Sequence, residues 1–145
     1  MPKLFIVYGT QTGNTERMAE AVAEGARSVS GVEVILKSVN EVRAEELSGA
    51  DAIVLGSPTH RKDVIYEMSI FLNELRKVKL TGKVGAAFGS YGWSGEGVEV
   101  LNQAMKSYGM TVVEPGMLVK RSPQEKDIEE CRNFGKAIAE KLMKT

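Results

Sequence analysis

The hydrophobic period along the chain switches repeatedly between that of a strand and that of a helix. Lys3 to Tyr8 is a compact β-branched and aromatic run, which predicts a strand. It breaks at Gly9 to Gly13. Met18, Val22 and Ala26 then recur every four residues, with Ala19 and Ala23 beside them, as one apolar helical stripe. Gly31 is placed to stop that helix. Val32 to Leu36 predicts a second strand, and Asn40 is a candidate cap for a short helix with Glu41 in its first turn and Gly49 after its end. Ala52 to Leu55 is continuously apolar, as in a strand covered on both faces. Ile65, Met68, Phe71, Leu72 and Leu75 return to helical spacing. Val84 to Phe88 predicts a fourth strand, and Val98, Leu101, Ala104, Met105 and Tyr108 mark another helix. Val112 and Val113, with Met117 to Val119, predict a fifth strand interrupted by a turn or bulge at Pro115-Gly116. The last helix is expected to start with Ser122 as N-cap, Pro123 at the first position and Glu125 completing S-x-x-E. Ile128, Cys131, Phe134, Ile138 and Leu142 then share one face, so Cys131 is expected to be a small buried hydrophobe.

Five strands alternating with helices predict an α/β fold: a doubly wound five-stranded parallel sheet, because parallel crossovers need helix-length connections. No repeat, linker or low-complexity tract divides the chain, so a single domain over residues 1–145 is expected. In such sheets ligands sit beyond the carboxyl ends of the strands, where the strand order reverses. Gly9 to Thr15, Gly56 to Asp63 and Gly89 to Gly97 lie at those ends, and all three are rich in Gly and hydroxyl residues, with aromatics in the last.

Composition narrows the chemistry. Lys plus Arg and Asp plus Glu number 19 each, so the formal charge is zero and the chain is not built to coat nucleic acid or an anionic membrane. One cysteine and one histidine, His60, leave no multi-cysteine or histidine-rich metal site. The longest apolar run, Leu4 to Tyr8, is far short of the ~20 residues that span a bilayer. A cytoplasmic location and no membrane insertion are the expectation. No Ser-His-Asp or Cys-His arrangement and no carboxylate pair is evident, so no catalytic residue is assigned.

Gly9-Thr10-Gln11-Thr12-Gly13-Asn14-Thr15 offers three hydroxyls and two amides, without Lys or Arg, at the start of a helix. Unpaired first-turn amides and the positive end of the helix dipole accept a dianionic phosphate without a basic side chain. Thr10, Thr12 and Thr15 can add donors, and Gly13 allows close backbone approach. The segment lacks the lysine and spacing of a Walker A loop and the G-x-G-x-x-G of a dinucleotide fingerprint. The alternative is a polar loop that only caps the helix through Thr or Asn.

Ser57-Pro58-Thr59-His60-Arg61-Lys62-Asp63 follows the third strand, and Gly89-Ser90-Tyr91-Gly92-Trp93-Ser94-Gly95-Glu96-Gly97 the fourth. Tyr91 and Trp93 set among glycines suggest stacking on a flat ring; the alternative for Trp93 is a lid on the core. A phosphate joined to a planar heterocycle is a mononucleotide.

Over essentially its full length the chain resembles a short-chain flavodoxin-like domain. Thr10 to Thr15 is similar to the T/S-x-T-G-x-T phosphate loop of that family, and Gly56-Ser57-Pro58-Thr59 to the turn after its third strand. Gly89 to Gly95 more closely resembles the third loop in flavodoxin modules of flavodiiron proteins than the acidic loop of ordinary flavodoxins. The resemblance implies strand order 2-1-3-4-5 and non-covalent FMN. It implies that Thr10 to Thr15 hold the phosphate, that Ser57 to His60 flank one side of the isoalloxazine, and that Tyr91 and Trp93 cover or edge the other, with Arg61 and the rest of Gly89 to Gly95 also binding the cofactor. The implied activity is a relay of electrons between redox proteins, a reductase or iron–sulfur donor and an unassigned acceptor, by a monomer. Alternatives are an FMN-dependent NAD(P)H:quinone-type reductase, or a flavodoxin module of a flavodiiron oxygen- or NO-reducing system. Two features depart from the family pattern. No glycine follows Thr59, so a backbone flip needing positive φ is expected to be harder. The chain is neutral rather than acidic and puts Arg61 and Lys62 by the expected ring, which raises the expected potential of the second one-electron reduction.

Overall fold

The computed structural model describes residues 1–144. Its elements run β1 (Lys3–Tyr8), α1 (Asn14–Arg27), β2 (Glu33–Ser38), a 3-10 helix (Ala44–Gly49), β3 (Ala52–Gly56), β4 (Thr59–His60), β5 (Asp63–Val64), α2 (Tyr66–Leu75), β6 (Val84–Tyr91), α3 (Glu96–Ser107), β7 (Thr111–Lys120) and α4 (Glu125–Met143). The main sheet is parallel throughout, in the order β2-β1-β3-β6-β7. This is the doubly wound parallel sheet expected from the alternation, in the 2-1-3-4-5 order implied by the resemblance, once the β4–β5 hairpin is set aside.

The central strands are buried on both faces because successive side chains enter opposite cores. Leu4, Ile6 and Tyr8 of β1 join Ala52 and Val54 of β3 under α1 and α4. Phe5 and Val7 join Ile53 and Leu55 under α2 and α3. Cys131 of α4 is fully buried in the first of these cores. The helices of that layer meet backbone to backbone. A Cβ on Gly25 of α1 would lie 1.8 Å from the Arg132 carbonyl, and one on Gly135 of α4 would lie 1.9 Å from that of Val22.

Several boundaries differ from the sequence reading. Asn40 caps no helix; the 3-10 helix opens at Arg43, whose amide donates to Glu46 at 2.8 Å. α1 ends at Arg27, and Gly31 instead sits at φ 89 in the turn before β2. α4 has Gln124, not Ser122, as its N-cap, with the Gln124 amide donating to Asp127 at 2.9 Å. Gly89, Ser90 and Tyr91 belong to β6 rather than to a loop, and pair with Leu118, Val119 and Lys120. The expected interruption of the last strand is present: the register shifts opposite Ala86 to Phe88, where the Glu114–Pro115 peptide is cis and Gly116 has φ 99.

The chain passes from β1 to β2 on one side, then crosses to β3 on the other, so the order reverses between β1 and β3. The ends of those two strands are joined by the Gly9 amide donating to the Gly56 carbonyl at 2.9 Å. The crevice at this reversal is where an open α/β sheet holds a ligand.

Candidate functional site

The turn after β1 is shaped by its own hydroxyl. Thr10 Oγ1 accepts the Gly13 amide at 3.0 Å, and Gly13 is the α1 N-cap, at φ 88 in the left-handed region. A Cβ there would meet nothing within 4 Å, so the space beside it is open. No side chain caps α1, which disposes of the alternative that Thr or Asn serves only as its cap. The amides of Asn14, Thr15 and Glu16 precede any intrahelical carbonyl and therefore face outward as donors. Gln11 and Thr12 are exposed beside them, while Asn14 Oδ1 accepts from Arg17 at 2.5 Å.

Two contacts, one part-buried and one buried, hold this helix start against the sheet. The Tyr8 hydroxyl donates to Glu16 Oε2 at 2.9 Å, and burial, reinforced by that carboxylate, pushes the phenol up to about 12. Thr15 Oγ1 and Ser90 Oγ lie 2.9 Å apart. One proton serves that contact, and the accepting hydroxyl keeps its own for donation elsewhere.

The segment after β3 is a tight hairpin rather than a free loop. Arg61 and Lys62 are its two central residues, at φ 51 and 65. Positive φ at both positions is the signature of a type I′ turn, which Asn and Gly favour. Arg61 and Lys62 thus adopt positive φ without glycine. Ser57 is fully buried and its hydroxyl is internal, donating to the Pro58 carbonyl at 2.9 Å and accepting the Ile65 amide at 3.1 Å. Thr59 Oγ1 accepts the Gly97 amide at 2.9 Å, tying the hairpin to the first turn of α3. Gly89 lets β6 run against β3, since a Cβ there would fall 2.2 Å from the Ser57 carbonyl.

A cleft of about 270 Å³ opens over these strand ends. Gln11, Thr12 and Asn14 line it from the first loop, Pro58 and Thr59 from the second, and Ser90, Tyr91 and Gly92 from β6 and its end. A smaller cavity of about 250 Å³ adjoins it through Thr59, lined by Arg61, Lys62, Trp93 and Ser94. Trp93 is 94% exposed, so it is no lid on the core. His60 is exposed and lines neither space, and Gly95 serves as the α3 N-cap against Leu118. Glu96, at the start of α3, has its carboxyl held below the usual range by the Ser94 hydroxyl and its own backbone amide, with the charge of Lys62 adding.

The sequence reading missed Arg121 and Ser122, which line the larger cleft from the end of β7. Arg121 turns into it at φ 61, its amide donating to the Tyr91 carbonyl at 2.6 Å. The same strand-end rule that selected the other loops applies to the fifth strand and would have found this one. A groove of about 400 Å³ between the 3-10 helix and α2 has no such concentration of donors.

The open glycine, the uncapped amides and the hydroxyls around them fit a phosphate, and the adjoining Tyr91 supplies a flat face. The comparisons agree with that chemistry. The family model described as Flavodoxin matches residues 6–135. A flavodoxin from Aquifex aeolicus is 36% identical over 97% of this chain and 86% of its own length. The solved structure of a flavodoxin from the domain Archaea superposes with a TM-score of 0.92 at 41% identity, covering 97% of this chain and 99% of that one. The Type A flavoprotein fprA of Rhodobacter capsulatus is also 36% identical over 96% of this chain, which spans 33% of that longer protein. The fold, the matched family and these likenesses over nearly the whole chain agree: it belongs to the flavodoxin family of electron-transfer flavoproteins.

Proposed function

We propose that the chain binds FMN non-covalently in the 270 Å³ cleft and relays electrons through it between redox proteins. The observation that carries this reading is the uncapped start of α1 opening into the cleft beside Gly13. There the amides of Asn14 to Glu16, with Thr10 and Thr12, would hold the phosphate, the helix dipole favouring its charge. Pro58 and Thr59 would flank the ring on one side and Tyr91 on the other, with backbone groups of both segments available to its polar edge. Arg121 and Ser122 would close the cleft from the β7 side. When bound, the flavin supplies the electron chemistry; the chain fixes its position, limits water around it and sets the local charge.

The reading is tested by the absorbance spectrum of the protein before and after adding FMN and removing the excess, followed by a reductive titration. A retained, one-to-one flavin spectrum that bleaches on reduction supports it. A colourless protein at FMN concentrations well above those of tight flavoproteins would overturn it.

The Gly89-Ser90-Tyr91-Gly92-Trp93 run of the third segment and the likeness to a longer Type A flavoprotein favour a second reading. In it the chain is the electron-entry module for a separate oxidase or reductase unit. Direct turnover of NADPH with a quinone would instead favour a self-contained reductase.

A further inference from the structure

The larger cleft receives a cation that no carboxylate holds. Arg121 lines it from the end of β7, together with Gln11, Thr12 and Asn14 of the first loop. None of the residues lining that cleft is acidic. Among the described residues the ion pairs lie elsewhere, at Glu74–Lys77, Lys106–Glu114, and Arg132 with Glu24 and Glu129. Arg121 therefore brings a positive charge to the cleft that no ion pair in the fold neutralises.

Two features of the backbone bring it there. The first is the irregularity in β7. Ala86 pairs with Val113 and Phe88 with Met117, so β7 advances four residues where β6 advances two. The extra length draws the rest of β7 back by about 7 Å, at ~3.3 Å per residue. The Asn102 side-chain amide of α3 donates to the Pro115 carbonyl at 2.9 Å and secures the irregularity. Gly116 lets it lie against β6, since a Cβ there would fall 2.5 Å from the Ala87 carbonyl. Lys120 is thereby opposite Tyr91, and the Arg121 amide reaches the Tyr91 carbonyl at 2.6 Å. An uninterrupted β7 would put Leu118 opposite Tyr91 and carry Arg121 past the end of β6. The second feature is φ 61 at Arg121, which turns the chain from β7 towards α4. α4 packs on α1 at Gly25 and Gly135. Both helices follow parallel strands and run the same way, so the segment entering α4 lies beside the segment entering α1.

We infer that the Arg121 guanidinium pairs with the phosphate of the ligand from the β7 side of the cleft, and so helps to select a phosphorylated flavin over an unphosphorylated one. The inference rests on the FMN reading and adds to it a basic side chain that the first loop, Gly9 to Thr15, does not contain. A guanidinium offers its N–H donors in a rigid fork that matches phosphate geometry. The α1 amides are neutral donors, whereas Arg121 adds a net charge. Its share of the affinity is therefore the part that salt screens.

The test titrates the flavin-free chain with FMN and with riboflavin, at low ionic strength and in ~0.5 M salt, following flavin fluorescence. Arg121→Gln should weaken FMN binding about tenfold at low salt and leave riboflavin binding within about twofold. FMN binding by the variant should also depend less on salt than that of the parent. Lys120→Gln removes the neighbouring charge from a residue that does not line the cleft, and should leave the ratio of the two affinities as in the parent. A second measurement titrates the flavin-free chain with inorganic phosphate and follows nitrogen-15 NMR spectra. The backbone amides of Gly13 and Asn14 and the Arg121 Nε–H should shift together with phosphate, and not with chloride at the same ionic strength. Equal losses for FMN and riboflavin in Arg121→Gln would mean that Arg121 only closes the cleft, and would overturn the inference. An unchanged FMN affinity, an unchanged salt dependence, or an equal effect of Lys120→Gln would overturn it too. If FMN does not bind at all, the cofactor reading fails and the phosphate titration decides for Arg121 alone: an Nε–H signal that moves supports the pairing, and one that stays still overturns it.

Discussion

Thr15 and Ser90, separated by 75 residues in sequence, join their hydroxyls 2.9 Å apart in a buried contact between the first turn of α1 and the end of β6. The pair fixes the helix start at the mouth of the cleft. Thr15→Val leaves the Ser90 hydroxyl buried without that partner, at a cost of about 1–3 kcal/mol. Removing both hydroxyls, by Thr15→Val with Ser90→Ala, should cost less than the sum of the single losses. Urea unfolding of the four proteins without flavin measures this; additivity would mean that the contact contributes nothing.

Gly89 is a test of how closely the second and third segments must approach. Gly89→Ala would put a methyl group 2.2 Å from the Ser57 carbonyl, where no flexible side chain can yield. Separation of β3 and β6 at their carboxyl ends should follow. The expected outcome is destabilisation of about 1–3 kcal/mol and FMN affinity at least tenfold lower. Gly92→Ala, with nothing within 4 Å of the added Cβ, should leave stability close to that of the parent.

Stability should fall steeply in alkali. Burial raises the Cys131 thiol from 9.0 to about 12, with Asp127 and Glu130 adding, and burial with Glu16 raises Tyr8 from 10.0 to about 12. Each folded-state group keeps its proton where the unfolded chain would release it. The contribution is therefore complete below pH 9 and is lost as the pH rises from 9 through 12, by at most about 1.4 kcal/mol per pH unit for each group. Tyr8→Phe should flatten the slope above pH 10 and Cys131→Ala the slope above pH 9, whatever each does to stability at pH 7. Denaturation across that range checks it. The same burial makes Cys131 inert to thiol reagents until the chain unfolds.

Arg61 and Lys62 should also tune a bound flavin. A cation ~8 Å from the ring is worth between roughly 20 and 90 mV for a one-electron step, as the effective dielectric falls from ~80 to ~20. Replacing both by Gln should lower the potential of the second reduction within that scale per charge, and added salt should shrink the difference. Spectroelectrochemical titration reads it. An unchanged potential in the double variant at low salt would mean that neither cation reaches the ring.

Much of this was legible in the sequence because the sheet is parallel and buried on both faces. Leu4 to Tyr8 and Ala52 to Leu55 declare themselves as apolar runs, and the Met18–Val22–Ala26 stripe declares α1. The start of α4 was less legible because its N-cap is not the residue that the capping rule selects. Ser122…Glu125 matches the capping rule, whereas the N-cap is Gln124, a residue that rule does not favour, with Asp127 at the third helical position. The hairpin was hidden because Arg-Lys is an unusual pair for a turn with both φ positive. The extension of β6 through Tyr91 was hidden by Gly89, whose smallness serves contact with Ser57 rather than a loop. Arg121 follows directly on the end of β7, so the strand-end rule applied to the fifth strand leads to it, with its amide donating to the Tyr91 carbonyl.

The central claim is that the open first turn of α1 holds a phosphate. Titrating the flavin-free chain with FMN and with riboflavin, following flavin fluorescence, isolates that group, since the two ligands differ only by it. Charge-assisted hydrogen bonds contribute about 1.5–3 kcal/mol each, so two or more amides on the phosphate predict FMN binding at least ~100-fold tighter than riboflavin. Equal affinities for the two ligands would contradict the account.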